Sequence, residues 1–323
     1  MSEKIARLAA DLSADFGGLV ERDRPLAPLT TYRLGGPAAL YVEPASAADL
    51  DALAAALGKR NGEPGGIPVL ALGRGSNLVI SDAGWPGVVI RLPAAAWSWI
   101  SEPETSVVGV RAGASTSLPL VANWAARRGL AGAEFLVAIP GSVGGAVRMN
   151  AGAHGRAIAD CLESARVFDV DRLVIHTRPA GALDLSYRRS NLSDGELVLE
   201  ATLRLESAAI DEVRERMDRY RRHRSETQPG AVQNAGSVFK NPPGDHAGRL
   251  VEAAGLKGFR IGGASVSELH ANFFVASNGA TSQDVYDLVT SVRARVNAAF
   301  GVDLVPEIRF VGEFVKTNEG GRG

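Results

Sequence analysis

The chain has 323 residues, of which 46% are hydrophobic and 22% charged, with 35 basic against 36 acidic side chains and a formal net charge of −1. That length suits about two domains, or three small ones, each able to bury a core, and the balanced charge excludes the broad basic surface by which proteins hold nucleic acid. One cysteine, Cys161, excludes an internal disulfide framework and reads as a small buried apolar residue; the five histidines show no ligand spacing, so no structural metal is expected.

Residues 1–20 read as a short amphipathic helix ending at Gly17-Gly18. Acidic residues interrupt it early and no apolar core follows, which argues against a signal peptide. No run of about 18 apolar residues suggests a membrane span, and a cytoplasmic location is expected. Thr30 to Pro44 is strand-like, broken by Gly35-Gly36-Pro37. Ser46 caps a helix, with Asp49 three residues on as in a capping box; Leu50, Leu53, Ala54 and Leu57 follow at helical spacing. From Ile67 to Pro93 the pattern is strand, tight loop at Gly73–Asn77, strand at Leu78–Ile80, turn at Asp82–Trp85 and strand at Val88–Ile90.

Val107–Val110 reads as a strand and Thr116–Arg128 as a helix, with further strands at Val167–Val170, Leu173–His176 and Leu197–Leu205. Ile210–Glu226 is a highly charged helix with a narrow apolar stripe of Ile210, Val213, Met217 and Tyr220. Glu212–Arg216, Glu215–Arg219 and Asp218–Arg222 are spaced to pair along its solvated face. The last third opens with a polar loop at Gln228–Asn234 and contains helices near His246–Gly255 and Ser282–Phe300. Thr281 and Asp284 make a capping box for the latter. Strands are expected at Ala271–Ala276 and Glu307–Gly312, and the polar tail after Val315 is expected to fray. Boundaries near 90 and 210 divide the chain into parts 1–90, 91–209 and 210–315, with a flexible tail 316–323.

Two glycine loops carry the strongest chemistry. In Gly73-Arg74-Gly75-Ser76-Asn77, successive N–H groups can turn inward and form an anion nest. It is not the Rossmann fingerprint, because Leu78 interrupts GxGxxG and β-type residues follow instead of a helix. The second loop is Ile139-Pro140-Gly141-Ser142-Val143-Gly144-Gly145, followed by Met149-Asn150-Ala151-Gly152. Either alone could be a tight turn; two of them between apolar segments point to dinucleotide binding.

Three polar stretches follow: Leu185–Ser190, Asn234–Pro242 and Val305–Arg309. Arg188 could fork onto a carboxylate or make a surface ion pair. Ser237 could move a proton or cap a turn, and Glu307 could pair with the arginine or simply end a strand. There is no GxSxG nucleophile elbow.

Together these motifs resemble the UDP-N-acetylenolpyruvoylglucosamine reductase (MurB) family. The matching stretches, in family order, are Thr31–Pro37, Leu72–Leu78, Gly132–Leu136 leading into Ile139–Gly145, Met149–Gly152, Tyr187-Arg188, Ala235–Pro242, Gly255–Gly258 with Ser267–Phe273, and Pro306-Glu307. The resemblance implies an α+β fold: a two-part FAD-binding domain of the vanillyl-alcohol-oxidase-like type, followed by a C-terminal α/β substrate-binding domain. It implies non-covalent FAD, its phosphates on Gly73, Gly75, Ser76, Asn77, Gly141, Ser142, Gly144 and Gly145, with Arg74 and Pro140 in the same loops. It implies NADPH as co-substrate and reduction of UDP-N-acetylglucosamine enolpyruvate to UDP-N-acetylmuramate. In that reaction Arg188 and Glu307 stabilise the developing charge and Ser237 is the general acid. Lys240 and Asn241 match substrate-side positions, and Arg224 and His270 fall at polar ligand contacts. No nucleic-acid partner or membrane insertion is implied, and the expected state is a monomer or weak homodimer. Tyr187–Gly195 runs directly into the next strand, so the chain resembles the shorter second type of the family. Two rivals stand beside this reading: an oxidase or dehydrogenase of a small alcohol or sugar, with flavin linked to His154, and a non-catalytic nucleotide-sugar sensor.

Overall fold

The computed structural model describes residues 1–12, 16–61, 66–172, 174–230 and 232–316. It comprises two compact units. The first holds Met1–Arg24, Ala39–Arg74 and Pro86–Glu226; the second holds Pro25–Ala38, Gly75–Trp85 and the chain from Thr227 onward.

In the first unit the opening helix runs Ser2–Leu12, with Ile5, Leu8 and Leu12 buried. The expected extension towards Gly17-Gly18 is corrected: residues 13–15 lie outside the described residues, and Leu19–Pro25 is a strand. Gly18, just before that strand, is pressed against the neighbouring backbone, since a Cβ there would stand 1.9 Å from the Glu43 carbonyl oxygen. The sheet runs in the order Leu19–Pro25, Pro37–Glu43, Trp85–Ile90, Val69–Ala71, the last two parallel. Helix Ala47–Asn61 buries Leu50, Leu53, Ala54 and Leu57, as their spacing requires, in one core with Leu40, Val88 and Phe168. At its start Ser46 Oγ accepts the Asp49 N–H at 3.1 Å. The buried Asp49 carboxylate reaches back past Ser46 to the N–H groups of Ala45 and Gly17, each at 2.8 Å.

A five-stranded antiparallel sheet forms the other layer, in the order Val174–Pro179, Leu162–Asp169, Glu196–Arg204, Gly109–Gly113, Ile100–Ser101. The strand expected at Val107–Val110 begins at Gly109, and Leu173 of the strand expected at Leu173–His176 lies outside the described residues. Helix Leu118–Ala126 and the long helix Ile210–Thr227 pack into the core of this layer; the latter buries Val213 and Met217 from its predicted stripe. Only one of its three expected i,i+4 pairs forms as drawn, Glu215 with Arg219 at 3.2 Å. Arg216 turns instead to Glu134 at 2.9 Å, and Asp218 pairs with Arg221 at 2.8 Å. The Glu134 side chain is 9% exposed, so it needs a partner far more than the solvated Glu212 does. Cys161 is buried as expected, and burial pushes its thiol up to about 12.

The second unit has its own core, with Tyr32, Val79, Phe239, Leu250, Phe274 and Leu288 among its members. Strand Leu78–Ile80 pairs in parallel with Arg309–Val311, and a small antiparallel sheet joins Arg260–Ile261, Ala264–Val266 and Phe274–Ala276. The strand expected from Ala271 thus begins only at Phe274. The Tyr32 hydroxyl donates to the Phe274 carbonyl at 2.9 Å, and desolvation raises its pKa. Gly75 adopts a φ of +63°, and a Cβ there would meet the Leu29 carbonyl oxygen at 2.4 Å, so glycine is required on both counts. Residues 317–323 lie outside the described residues, and with them most of the predicted tail.

Helix Ser282–Phe300 matches its prediction, burying Val285, Leu288, Val289, Val292 and Val296. Thr281 Oγ1 accepts the Asp284 N–H and Asp284 Oδ2 accepts the Thr281 N–H, both at 3.0 Å. A second carboxylate completes this terminus: Asp82 accepts the Ser282 and Gln283 N–H groups at 2.9 and 3.0 Å. Four N-terminal donors of a helix lack partners within it, and a negative charge there also opposes the helix dipole. Replacing Asp82→Ala removes both bonds and the charge. We expect a loss of about 1–2 kcal/mol, read as a lower urea midpoint, with Asp82→Asn in between; an unchanged midpoint in Asp82→Ala rules the contact out as a cap.

Candidate active site

The first unit contains an open pocket lined by Leu72, Gly73, Ala114, Ser115, Ser142, Gly144, Gly145, Arg148, Glu196 and Val198, among others. The second glycine loop is stitched to its wall. Gly144 N–H donates to the Ala114 carbonyl at 2.9 Å, Val143 N–H to Thr116 at 3.0 Å, and Leu118 N–H returns to Gly141 at 3.1 Å. A Cβ on Gly144 would lie 3.1 Å from the Ala114 Cβ, so this glycine allows the helix Val143–Met149 to close on the sheet. Gly73 and Gly145 serve the pocket differently. A Cβ at Gly73 would meet only Ser142 Oγ, at 3.2 Å, and one at Gly145 the same atom at 3.7 Å. Side chains at either position would fill the cradle, which their absence keeps as bare backbone.

Arg148 lines the same pocket, tied by its guanidinium to the carbonyls of Leu192 at 3.3 Å, Ser193 at 3.0 Å and Glu196. The sequence reading passed over it; its position in the last turn of a helix opened by glycines was the available signal. Bare backbone, the Ser142 hydroxyl and a fixed cation suit a diphosphate, so the residues present fit FAD. Pro140 and Arg74 are exposed on the flanks of the two loops, and Gly141 is half-buried. Arg224 donates to the Ala138 carbonyl and so steadies the entry to the second loop.

The loop after that helix holds Arg188. Asn150, at a φ of +40°, donates to the Ser186 carbonyl at 2.9 Å and accepts the Ala159 N–H at 2.8 Å. Arg188, also left-handed with a φ of +55°, donates to the Gly152 carbonyl at 2.9 Å. Its guanidinium carbon lies 5.2 Å from the Tyr187 ring centre. His154 stacks on Tyr220 with ring centres 4.0 Å apart and stands edge-on to His223 at 5.4 Å. Desolvation and then His223 lower the His154 pKa.

The second unit gathers the rest. Ser237 bridges to Phe273, and Phe239 to Pro306. Val238 N–H donates to the Asn272 carbonyl at 2.8 Å, while the Val238 carbonyl accepts the Glu307 N–H at 2.7 Å. Lys240 N–H donates to Val305 at 2.9 Å. The segment Ser237–Lys240 therefore runs between two others, with Ser237 and Glu307 one hydrogen-bonded residue apart. Gly75, Ser76 and Asn77 of the first glycine loop belong to this unit. The Asn77 amide donates to the Glu307 carbonyl at 3.1 Å, and its own carbonyl accepts the Arg309 N–H at 2.9 Å. Asn241 Oδ1 accepts the Ala247 N–H at 3.0 Å and so supports the start of helix Ala247–Ala253.

His270 Nδ1 accepts the Asn272 N–H at 3.2 Å, and its ring meets Phe273 edge-on at 4.8 Å. That bond assigns the neutral ring's proton to Nε2.

A glycine-lined pocket in an α+β scaffold suits a flavin, and the family matches define the chain as an FAD-dependent oxidoreductase. The profile of the FAD binding domain family matches residues 38–178, and that of the UDP-N-acetylenolpyruvoylglucosamine reductase C-terminal domain matches residues 228–311. The chain is 41% identical to the UDP-N-acetylenolpyruvoylglucosamine reductase of Geobacter sulfurreducens, covering 95% of this chain and 99% of that one. It is 43% identical to that of Rhodopseudomonas palustris, covering 94% and 96%. The crystal structure of the Thermus caldophilus enzyme superposes with a TM-score of 0.76 at 36% identity, over 91% of this chain and 100% of that one. The chain belongs to the UDP-N-acetylenolpyruvoylglucosamine reductase family. The α+β class expected from the sequence stands: an FAD-binding domain is followed by the family's C-terminal domain. No helix among the described residues is long and apolar enough to cross a membrane.

Two measurements probe these sites. Gly73 has no left-handed backbone to forbid a side chain, so Gly73→Val should fold yet lose most of its flavin, seen as lost yellow absorbance with unchanged far-UV circular dichroism; full flavin retention removes this glycine from the cradle. The second concerns pH. Burial lowers the His270 pKa below its ordinary 6.5, with Lys257 pushing the same way and Glu252 against it. Below about pH 6.5 the unfolded chain binds a proton that the folded chain resists, so this stability is present above 6.5 and is lost as pH falls. His270→Gln should therefore lose less stability than the parent between pH 7 and pH 5, about two units of acidification, in urea titrations; equal losses exclude His270 as a contributor.

Proposed function

We propose that the protein reduces the enolpyruvyl ether of UDP-N-acetylglucosamine enolpyruvate to the lactyl ether of UDP-N-acetylmuramate, with NADPH as the hydride source. The observation that carries this reading is the pairing of Glu307 with Val238, which holds Ser237 and Glu307 on adjacent segments. The family membership and the FAD cradle support it. Held against the bare backbone of Gly73 and the Gly141–Gly145 loop, FAD would supply the redox chemistry, as the hydride carrier between NADPH and the β-carbon of the substrate double bond.

An enol ether is electron-rich, so hydride addition leaves negative charge that must be neutralised as it forms. Arg188 stabilises it by a forked contact with the substrate carboxylate, and Glu307 acts at the same centre; a preorganised donor at such a charge is commonly worth about 3–4 kcal/mol. Ser237 then gives its hydroxyl proton to the α-carbon, which completes saturation of the bond. Serine is a weak acid, so the step depends on a strongly basic carbon held at short range. Lys240 suits the diphosphate of the nucleotide, and His270, with Nε2–H as donor, suits another polar group of it. Arg224 acts by steadying the entry to the second glycine loop, and Asn241 by supporting the start of helix Ala247–Ala253 beside Lys240. Functionally, the chain divides near residues 90 and 210 into two FAD-binding parts and a substrate-binding part. A nucleotide substrate and NADPH both point to the cytoplasm.

Without oxygen, the yellow protein should oxidise NADPH continuously only when UDP-N-acetylglucosamine enolpyruvate is present. Oxidation that stops at one flavin equivalent with that compound present discards the substrate. Ser237→Ala should let NADPH bleach the flavin at an ordinary rate while product formation drops by about 10²–10⁴-fold; normal product formation removes Ser237 as the acid. Arg188→Lys should lose much of the rate, because a point charge does not replace the fork; parental turnover takes Arg188 out of the reaction.

A further inference from the structure

Asn272 is 4% exposed, and a buried carboxamide is costly unless each polar atom is bonded. Its Oδ1 accepts the Phe239 N–H at 2.9 Å, and its Nδ2 donates to the Phe239 carbonyl at 2.8 Å. Its main-chain carbonyl accepts the Val238 N–H at 2.8 Å, and its own N–H goes to His270 Nδ1 at 3.2 Å. One residue thus makes three hydrogen bonds to the two residues after Ser237. The side-chain amide imitates a peptide group: it gives Phe239 both bonds that a neighbouring strand would give, at the place where the regular strand begins only at Phe274.

We infer that Asn272 is a positioning residue for proton transfer by Ser237, because its amide clamps the Val238–Phe239 peptides from which both Ser237 and Glu307 take their positions. Val238 is the common anchor. Its N–H is held by Asn272, and its carbonyl holds the Glu307 N–H at 2.7 Å. A rotation of the Val238 peptide moves the Ser237 hydroxyl and the Glu307 carboxylate relative to one another. An acid as weak as serine has little driving force to spare for misplacement. No other side chain of this size does the same work: Asp cannot donate to the Phe239 carbonyl and adds a buried charge, and Leu offers neither bond. The inference rests on the proposed role of Ser237.

The test compares the holoenzyme with Asn272→Leu, Asn272→Asp, Ser237→Ala and the Ser237→Ala/Asn272→Asp pair, following flavin absorbance without oxygen in two half-reactions. Flavin reduction by NADPH, which does not use Ser237, should stay within about twofold of the parent in both single Asn272 variants, while reoxidation by UDP-N-acetylglucosamine enolpyruvate slows about 10–100-fold with little change in the substrate concentration for half-saturation. On the residual reoxidation of Ser237→Ala, Asn272→Asp should add no more than about twofold, because the two act as one unit. Hydrogen exchange at the Phe239 amide should quicken in Asn272→Leu, which removes its acceptor. Equal slowing of both half-reactions, an additive loss in the pair, or parental reoxidation overturns the inference and leaves the proposed function intact. Should Asn272→Leu fail to fold, Asn272→Asp, which keeps the bond to the Phe239 N–H, decides the matter by the same readings. Parental reoxidation in Ser237→Ala sinks the role of Ser237 and this inference with it.

Discussion

One residue, Val238, orders the segment of the second unit that joins Ser237 to Glu307. The Val238 carbonyl accepts the Glu307 N–H at 2.7 Å while its N–H is spent on Asn272. The next residue, Phe239, is fully buried and lies edge-on to Phe274 with ring centres 5.8 Å apart. Packing on one side and hydrogen bonds on two others leave this segment little freedom. Backbone groups make such a frame more rigid than side chains would, because few rotatable bonds separate the partners. Asn77 extends the frame by donating to the Glu307 carbonyl, so both main-chain polar groups of Glu307 are bonded.

The first unit solves the opposite problem. It has to leave backbone uncovered for a large anionic cofactor while keeping the surrounding core closed. Glycine does both there, and different glycines do each. Gly144 lets the helix Val143–Met149 approach Ala114, a packing requirement, whereas side chains at Gly73 and Gly145 would meet only the Ser142 hydroxyl. Charge is supplied sparingly. Arg148 is held by three main-chain carbonyls, whose dipoles fix where its guanidinium sits. This agrees with the chain's near-zero net charge: the cation needed for a diphosphate is local.

What was legible in the sequence was mostly local. Helix Ser282–Phe300 could be read from its apolar period and its capping box because both signals lie within one stretch of chain. The glycine loops could be read for the same reason. The strand Leu19–Pro25 was missed because Glu21, Arg22, Asp23 and Arg24 leave almost no apolar alternation to see. The i,i+4 pairs of helix Ile210–Thr227 were drawn as if the helix were alone; the buried Glu134, distant in sequence, claimed Arg216. The family motifs carried Ser237, Glu307 and Arg188 into view. They gave no hint that Asn77 would bond to the Glu307 peptide or that Asp82 would cap a helix two hundred residues later.

Those long-range bonds explain why the second unit is not one continuous stretch of chain. Pro25–Ala38 and Gly75–Trp85 join residues beyond Thr227 through Tyr32 to Phe274, Asn77 to Glu307 and Asp82 to Ser282. None of these contacts leaves a periodic trace, since each rests on one polar side chain meeting one backbone group. The chain passes from one unit to the other within the first glycine loop, between Arg74 and Gly75. Gly75 is also where the backbone comes so close to Leu29 that no side chain fits. The loop therefore answers to two demands at once, bare backbone facing the pocket at Gly73 and a tight crossing at Gly75, and two glycines separated by one residue are the simplest sequence that meets both.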